Sequence, residues 1–143
     1  MRKIQQIANF IVHYSNDIEA PVSNLKLQKL LFFAWVEFYK SRRSYLFTDK
    51  FYAWQFGPVI PDIYYEYCVY GSLPITKYDL SEDLLNSYEK YIIKSVVERY
   101  KEKTALQLVK ITHEDGHAWS KTYRNGFGNK FVIPFDRIIE LEC

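Results

Sequence analysis

Apolar residues recur along this chain at changing intervals, and each interval predicts an element. Ile4, Ile7, Ile11 and Tyr14 step by 3, 4 and 3, which predicts a first helix from about Arg2 to Tyr14. The connector SNDIEAP follows, and Ser23 or Asn24 is placed to cap a second helix, NLKLQKLLFFAWVEFYK. In it Leu27, Leu30, Leu31, Ala34 and Phe38 form one stripe, and Phe32, Trp35 and Tyr39 form another. A helix apolar round most of its circumference is a buried one, so this helix is expected at the centre of the fold.

Beyond it the pattern shortens. Tyr45–Phe47 and Phe51–Phe56 are β-prone and flank Thr48-Asp49-Lys50, which predicts a short hairpin closed by Gly57-Pro58. Pro61 suits the first turn of a helix and Asp62 its positive end, so PDIYYEYCVY is expected to be helical and to stop at Gly71. Ser81 is expected to cap a long helix through Tyr100, with Leu85, Tyr88, Ile92 and Val96 on one face. Thr104 starts another, ALQLVKITHED, and the tail predicts a strand over Phe131–Ile133 and a helical turn or two from Asp136. These elements make one α+β domain over residues 1–143: mainly helical, with a central buried helix and a small β-hairpin or short antiparallel sheet.

Composition adds one unusual feature. With 48% hydrophobic and 25% charged residues the chain is expected to fold, but 18% of it is aromatic, including 13 Tyr. Tyrosine joins an apolar ring to a polar tip and serves core edges and partner surfaces equally well. A net charge of +2, with its densest cluster (Lys40, Arg42, Arg43) at a helix C-terminus where cations offset the dipole, argues against a nucleic-acid binder. Cys68 and Cys143 fit neither a disulfide framework nor a metal spacing. No signal-peptide core and no run of 18 apolar residues is present, so a cytoplasmic protein without a membrane span is expected.

One stretch spells catalysis. His113-Glu114-Asp115-Gly116-His117 reads as H-E-x-x-H, in which two zinc-ligating histidines and a glutamate base share a helix face. That chemistry requires an unbroken helix, yet Asp115-Gly116 is a turn dipeptide and Gly favours the position just past a helix end. The helix after Thr104 is therefore expected to end near Glu114, with another starting around Ala118. No phosphate loop, G-x-S-x-G or local Cys–His pair offers an alternative, so neither catalytic residues, metal nor cofactor is assigned. A small zinc hydrolase using His113, His117 and Glu114, or a nucleic-acid-binding regulator, stands as the alternative to a binding protein.

Three blocks in order resemble one family. NLKLQKLLFFAW carries L-x-K-L-L before an aromatic (Leu27, Lys29, Leu30, Leu31); LFTDKFYAWQFGPVIPDIYYEY carries A-W and then aromatic-G-P-V-x-P before a Tyr-bearing helix (Trp54, Gly57, Pro58, Pro61, Tyr64). LVKITHEDGHAW carries L-x-x-x-T-H with a Trp six residues on (Thr112, His113, Trp119). This is similar to the Panacea domain of phage-associated proteins and of toxin–antitoxin pairs, including the SocA type, and the likeness spans roughly Ile7 to Ile139. The chain is expected to be the bare domain, without the extra segment many antitoxin forms carry. The resemblance implies a non-enzymatic protein that neutralises a toxin encoded nearby, by direct binding or as an adaptor delivering it to a protease. In this reading a second His at position 117 is incidental. Trp54, Gly57, Pro58 and Pro61 are expected to be architectural, and Tyr64, Tyr65, Tyr67, Tyr70, Tyr78 and Tyr123 are the candidate partner contacts.

Overall fold

The computed structural model describes residues 1–81 and 83–143. Helix α1 (Lys3–Asp17) leads into α2 (Asn24–Arg42), whose first turn is capped by Ser23: its hydroxyl accepts from the Lys26 amide at 3.2 Å. Both expected stripes of α2 face inward, and the helix packs against α1 and against elements from every later part of the chain. Trp35 is wholly buried, donates its indole N–H to the Phe47 carbonyl at 3.1 Å, and stacks between Tyr39 and Phe135.

Strands β1 (Phe51–Trp54) and β2 (Gly57–Val59) form the hairpin, in the register Tyr52↔Val59 and Trp54↔Gly57. The turn is thus Gln55-Phe56, not Thr48-Asp49-Lys50 as the β-prone pattern suggested. Residues 45–47 run as coil instead, because Leu46 and Phe47 fill the core under Trp35 and Asp49 is held by Arg2 at 2.6 Å. Pro61 opens α3 (Pro61–Glu66), a single 3-10 turn follows at Cys68–Tyr70, and Gly71 ends it.

The expected helix from Ser81 begins later, as α4 (Ser87–Tyr100). Among the segment's described residues, backbone amides are taken up by side-chain bonds: Asp79 accepts from the Ser81 amide, Gln6 from Leu84, and Asp83 from Leu85. Asn86 and Glu89 then form a reciprocal capping box, which fixes the start. Helix α5 (Ala105–Thr112) begins with a second such box, Thr104 with Gln107. Helix α6 (Ala118–Tyr123), strand β3 (Val132–Ile133) and helix α7 (Phe135–Glu142) complete the chain. β3 pairs antiparallel with β1, giving the sheet order β2-β1-β3. The fold is a mainly helical α+β domain with a three-stranded antiparallel sheet laid on a central helix. Among the described residues no helix is long and apolar enough to cross a membrane.

Candidate functional site

The three sequence blocks meet at one place. Asn24, Gln28 and Lys29 lie on the polar side of α2, and all three are buried. Each grips the backbone running from β2 into α3. Lys29 Nζ donates to the Pro58 carbonyl at 3.1 Å, Gln28 Oε1 accepts from the Ile60 amide at 3.0 Å, and Asn24 Nδ2 donates to the Tyr64 carbonyl at 2.9 Å. Gln28 and Asn24 also bond each other at 3.2 Å. The G-P-V-x-P segment is therefore read by polar side chains that satisfy its otherwise unpaired backbone. Asn24 and Gln28 were not singled out from the sequence. Their signal was available, as two amides four residues apart on the buried side of an apolar helix.

Lys29 is 0% exposed with no carboxylate beside it, and burial pushes its ammonium down to about 7. Gly57 makes room for it. Its φ is +106°, and a Cβ there would stand 2.8 Å from both Lys29 Cε and Thr112 Oγ1. Thr112 ends α5, and His113 follows as its cap. Burial, and then the charge of Lys29, hold the His113 imidazole below its ordinary value, against the opposing pull of a hydrogen bond to the Gln55 backbone carbonyl. The neutral ring stacks flat on Trp119 with centroids 3.7 Å apart, and Tyr123 stacks on Trp119 at 4.5 Å. Trp119 Nε1 donates to the Trp54 carbonyl at 2.7 Å, tying α6 to β1.

This geometry explains HEDGH. α5 stops at Thr112, Gly116 sits at φ +84°, and His117 is the first residue before α6. His113 stacks inward while His117 turns to Glu142 at 2.6 Å and Glu114 at 3.4 Å. The two imidazoles share no helix face. Among the described residues no group of three or more His, Cys, Asp or Glu side chains is gathered to hold a metal ion.

The outer side of the cluster is an aromatic surface. Tyr123 borders three hollows there. The first, about 480 Å³, lies between Trp54, Phe56, Tyr64, Tyr123 and Lys130. Another, about 760 Å³, is lined by Phe56, Leu106, Val109, Trp119 and Tyr123, and the last, about 490 Å³, by His113, Trp119, Lys121, Arg124 and Asn125. Around them Phe56 is 52% exposed, Tyr65 60% and Leu106 65%.

The tyrosines singled out in the sequence are divided by the fold. Tyr64 and Tyr65 pack edge-on and tilted beside Trp54, so with Tyr123 they belong to this surface. Tyr67 is buried and donates its hydroxyl to Asn9 at 3.1 Å, which removes it from any surface. Tyr70 packs against the core, and Tyr78 lies over His13 of α1.

Comparison with known proteins gives this arrangement its relatives. The profile of the family described as "Antitoxin SocA-like, Panacea domain" matches residues 27–120, from the start of the Leu27 block to just past Trp119. Antitoxin SocA of Caulobacter vibrioides (strain NA1000 / CB15N) is 30% identical over 148 residues, covering 94% of this chain and 78% of that protein. No solved structure matches. This kinship suggests an antitoxin role, and a non-enzymatic one, with a toxin as the general kind of partner. The chain belongs to the antitoxin SocA-like, Panacea domain family.

Proposed function

We propose that this protein is a cytoplasmic antitoxin that neutralises a toxin encoded nearby by direct binding, with the aromatic surface around Tyr123 as its binding face. The observation that supports it is the contiguous set of rings and hollows just described, bordered by Phe56, Tyr65 and Leu106. A stable interface buries about 800 Å² per partner around a few aromatic anchors in pockets, and this surface offers both rings and pockets. Tyr64, Tyr65 and Tyr123 are the anchors kept from the sequence, joined by Trp54 and Phe56. An origin in a phage or prophage follows from the family resemblance.

Delivery of the toxin to a protease needs a second contact surface. A second exposed apolar stretch exists: Tyr78, Leu80 and Leu84, on the segment that crosses α1. The test is coexpression in a heterologous bacterium, each neighbouring reading frame alone and then with this protein. One neighbour should arrest growth, and this protein should restore it. Leu106→Asp or Tyr123→Ala should abolish rescue while the variant stays folded by circular dichroism. Absence of any toxic neighbour, or full rescue by both variants, refutes the assignment. Repeating the rescue in a host stripped of its ATP-dependent proteases separates the mechanisms, since an adaptor loses rescue there and a direct inhibitor keeps it.

A further inference from the structure

The hollows of the aromatic surface are lined by more cations than acids. Elsewhere some cations are matched with acids, such as Arg2 with Asp49 and Asp62, Lys3 with Glu89, Lys90 with Asp83, Arg99 with Glu37 and Lys101 with Glu98, while Arg42 and Arg43 lie over the Tyr88 and Tyr39 rings. The three hollows at Tyr123 are lined by Lys110, Lys121, Arg124 and Lys130, against Asp115 alone. Among the described residues none of these four cations enters an ion pair; Lys130 Nζ only stands 5.8 Å from the Trp54 ring. His113 adds no charge, since its imidazole is kept neutral. Four cations against one acid thus rim the face that also carries the exposed rings.

The backbone under this rim is held in an uncommon shape. Arg124, Asn125 and Lys130 have φ of +49°, +57° and +67°, in the loop between α6 and β3. Left-handed residues of this kind persist only where surrounding structure fixes them. Here Gly128 supplies the fixing: its amide donates to the Tyr123 carbonyl at 2.8 Å, and the backbone passes so near Thr122 that a Cβ would fall 1.8 Å from the Thr122 carbonyl oxygen. Two of the four cations are therefore presented from a fixed loop.

We infer that this face takes an acidic segment of the partner protein, with apolar or aromatic side chains seated in the hollows and carboxylates meeting Lys110, Lys121, Arg124 and Lys130. This rests on the antitoxin reading for the partner's identity but not for its chemistry. Complementary charge at such a rim steers encounter and rejects like-charged competitors, while the anchors supply most of the affinity. Nucleic acid would present phosphates to the same cations, but base stacking needs free ring faces. Beside the rings stands Leu106, 65% exposed, an aliphatic anchor on which no base stacks, and a net charge of +2 is small for a phosphate-binding footprint, so the protein partner fits better.

The test presents the full chain to a random-sequence peptide library displayed on phage, so that no toxin need be known. Wild-type protein should recover peptides rich in Asp and Glu together with Trp, Phe or Leu. Their binding should weaken about tenfold or more on going from low to high salt. The double variant Lys110→Glu with Lys121→Glu changes two exposed positions and should lose these peptides by a similar factor, while Lys77→Glu, on the far segment, keeps them. The double variant Lys110→Gln with Lys121→Gln should fall between. Recovery of peptides without acidic enrichment overturns the inference, as does enrichment that survives the double reversal. So does tight binding of a random single-stranded oligonucleotide by wild type that the reversal abolishes, which assigns the face to nucleic acid. A failed growth rescue with acidic peptides still recovered discards the antitoxin reading alone.

Discussion

Replacing Lys29 with Met should make the folding stability of this protein less sensitive to pH than that of the wild type. Lys29 is 0% exposed, its Nζ meets one carbonyl at 3.1 Å, and no carboxylate faces it. Burial holds its pKa at about 7 in the fold, against 10.5 when exposed to water. Between those values the unfolded chain binds a proton that the folded chain has released, so stability rises with pH, by roughly 2 kcal/mol between pH 7 and 9. Below pH 7 both states are protonated and the full cost of burying the ammonium weighs on the fold. Lys26, also lowered by burial, adds a rise of the same sign that the wild type and the variant share, so the difference between the two series reports Lys29. His113, held low by burial, loses stability for the fold only as pH falls below its ordinary value of 6.5. Cys143, pushed up by burial, acts only as pH approaches and passes 9.0. Methionine keeps the volume but leaves the Pro58 carbonyl unpaired, at a cost of about 1–3 kcal/mol. Urea unfolding at pH 7, 8 and 9 should therefore give a rising series for the wild type and a flatter one for Lys29→Met, with the two differing most at pH 9. A wild-type series no steeper than the variant's refutes the reasoning, because it means that Lys29 stays charged throughout and is stabilised by something other than the Pro58 carbonyl.

Gly57→Ala should cost about 2–5 kcal/mol in urea unfolding, from positive φ together with Cβ contacts of 2.8 Å to Lys29 and Thr112; a cost under 1 kcal/mol contradicts the packing described. Gly116→Ala should destabilise by only about 1–2 kcal/mol, since its φ is +84° but nothing lies within 4 Å of the new methyl. A gain in stability and helicity by circular dichroism would instead mean that HEDGH lies on one continuous helix. Trp119→Phe keeps the stacked ring and deletes the indole bond to Trp54, and should cost about 1–2 kcal/mol by thermal or urea unfolding.

What could be read from the sequence followed from local rules. The α2 stripes, the Ser23 cap, the Pro61 start, the Thr104 start and the break inside HEDGH each depend on residues within a turn or two, and each is where periodicity or cap chemistry placed it. The two displaced elements depended on distant partners. Tyr45–Phe47 has the composition of a strand, but the Phe47 carbonyl serves Trp35 and the Leu46 and Phe47 side chains fill the core. Ser81 has the chemistry of a cap, but the Ser81 and Leu85 amides are committed to Asx-type turns and the Leu84 amide to Gln6 across the fold, so the helix waits for Asn86. The binding face was half legible for a similar reason. Composition pointed to surface tyrosines, and PDIYYEYCVY placed several on one short helix, but burial of Tyr67 by Asn9 is a contact across 58 residues.

The cluster and the face beside it divide the protein's work. Leu27, Lys29, Leu30 and Leu31, with Gly57, Pro58 and Thr112, are buried, and their bonds run to one another or to backbone. A residue so enclosed cannot distinguish partners, since nothing outside the fold touches it. Its effect on binding passes through the position of β2, α3 and α6. In the proposed reading, partner choice is left to what those elements display: Phe56 at the hairpin tip, Tyr64 and Tyr65 on α3, Leu106 and Lys110 on α5, Tyr123 and Lys121 on α6. These side chains come from four separate elements, and the Lys29–Pro58, His113–Trp119 and Trp119–Trp54 contacts are what hold those elements in one frame. A brace of this kind lets surface residues change one at a time without altering the frame, because substitutions at exposed positions away from caps and strained turns shift stability by only about 0.5 kcal/mol. The motif blocks recognised in the sequence are the fixed part of this arrangement.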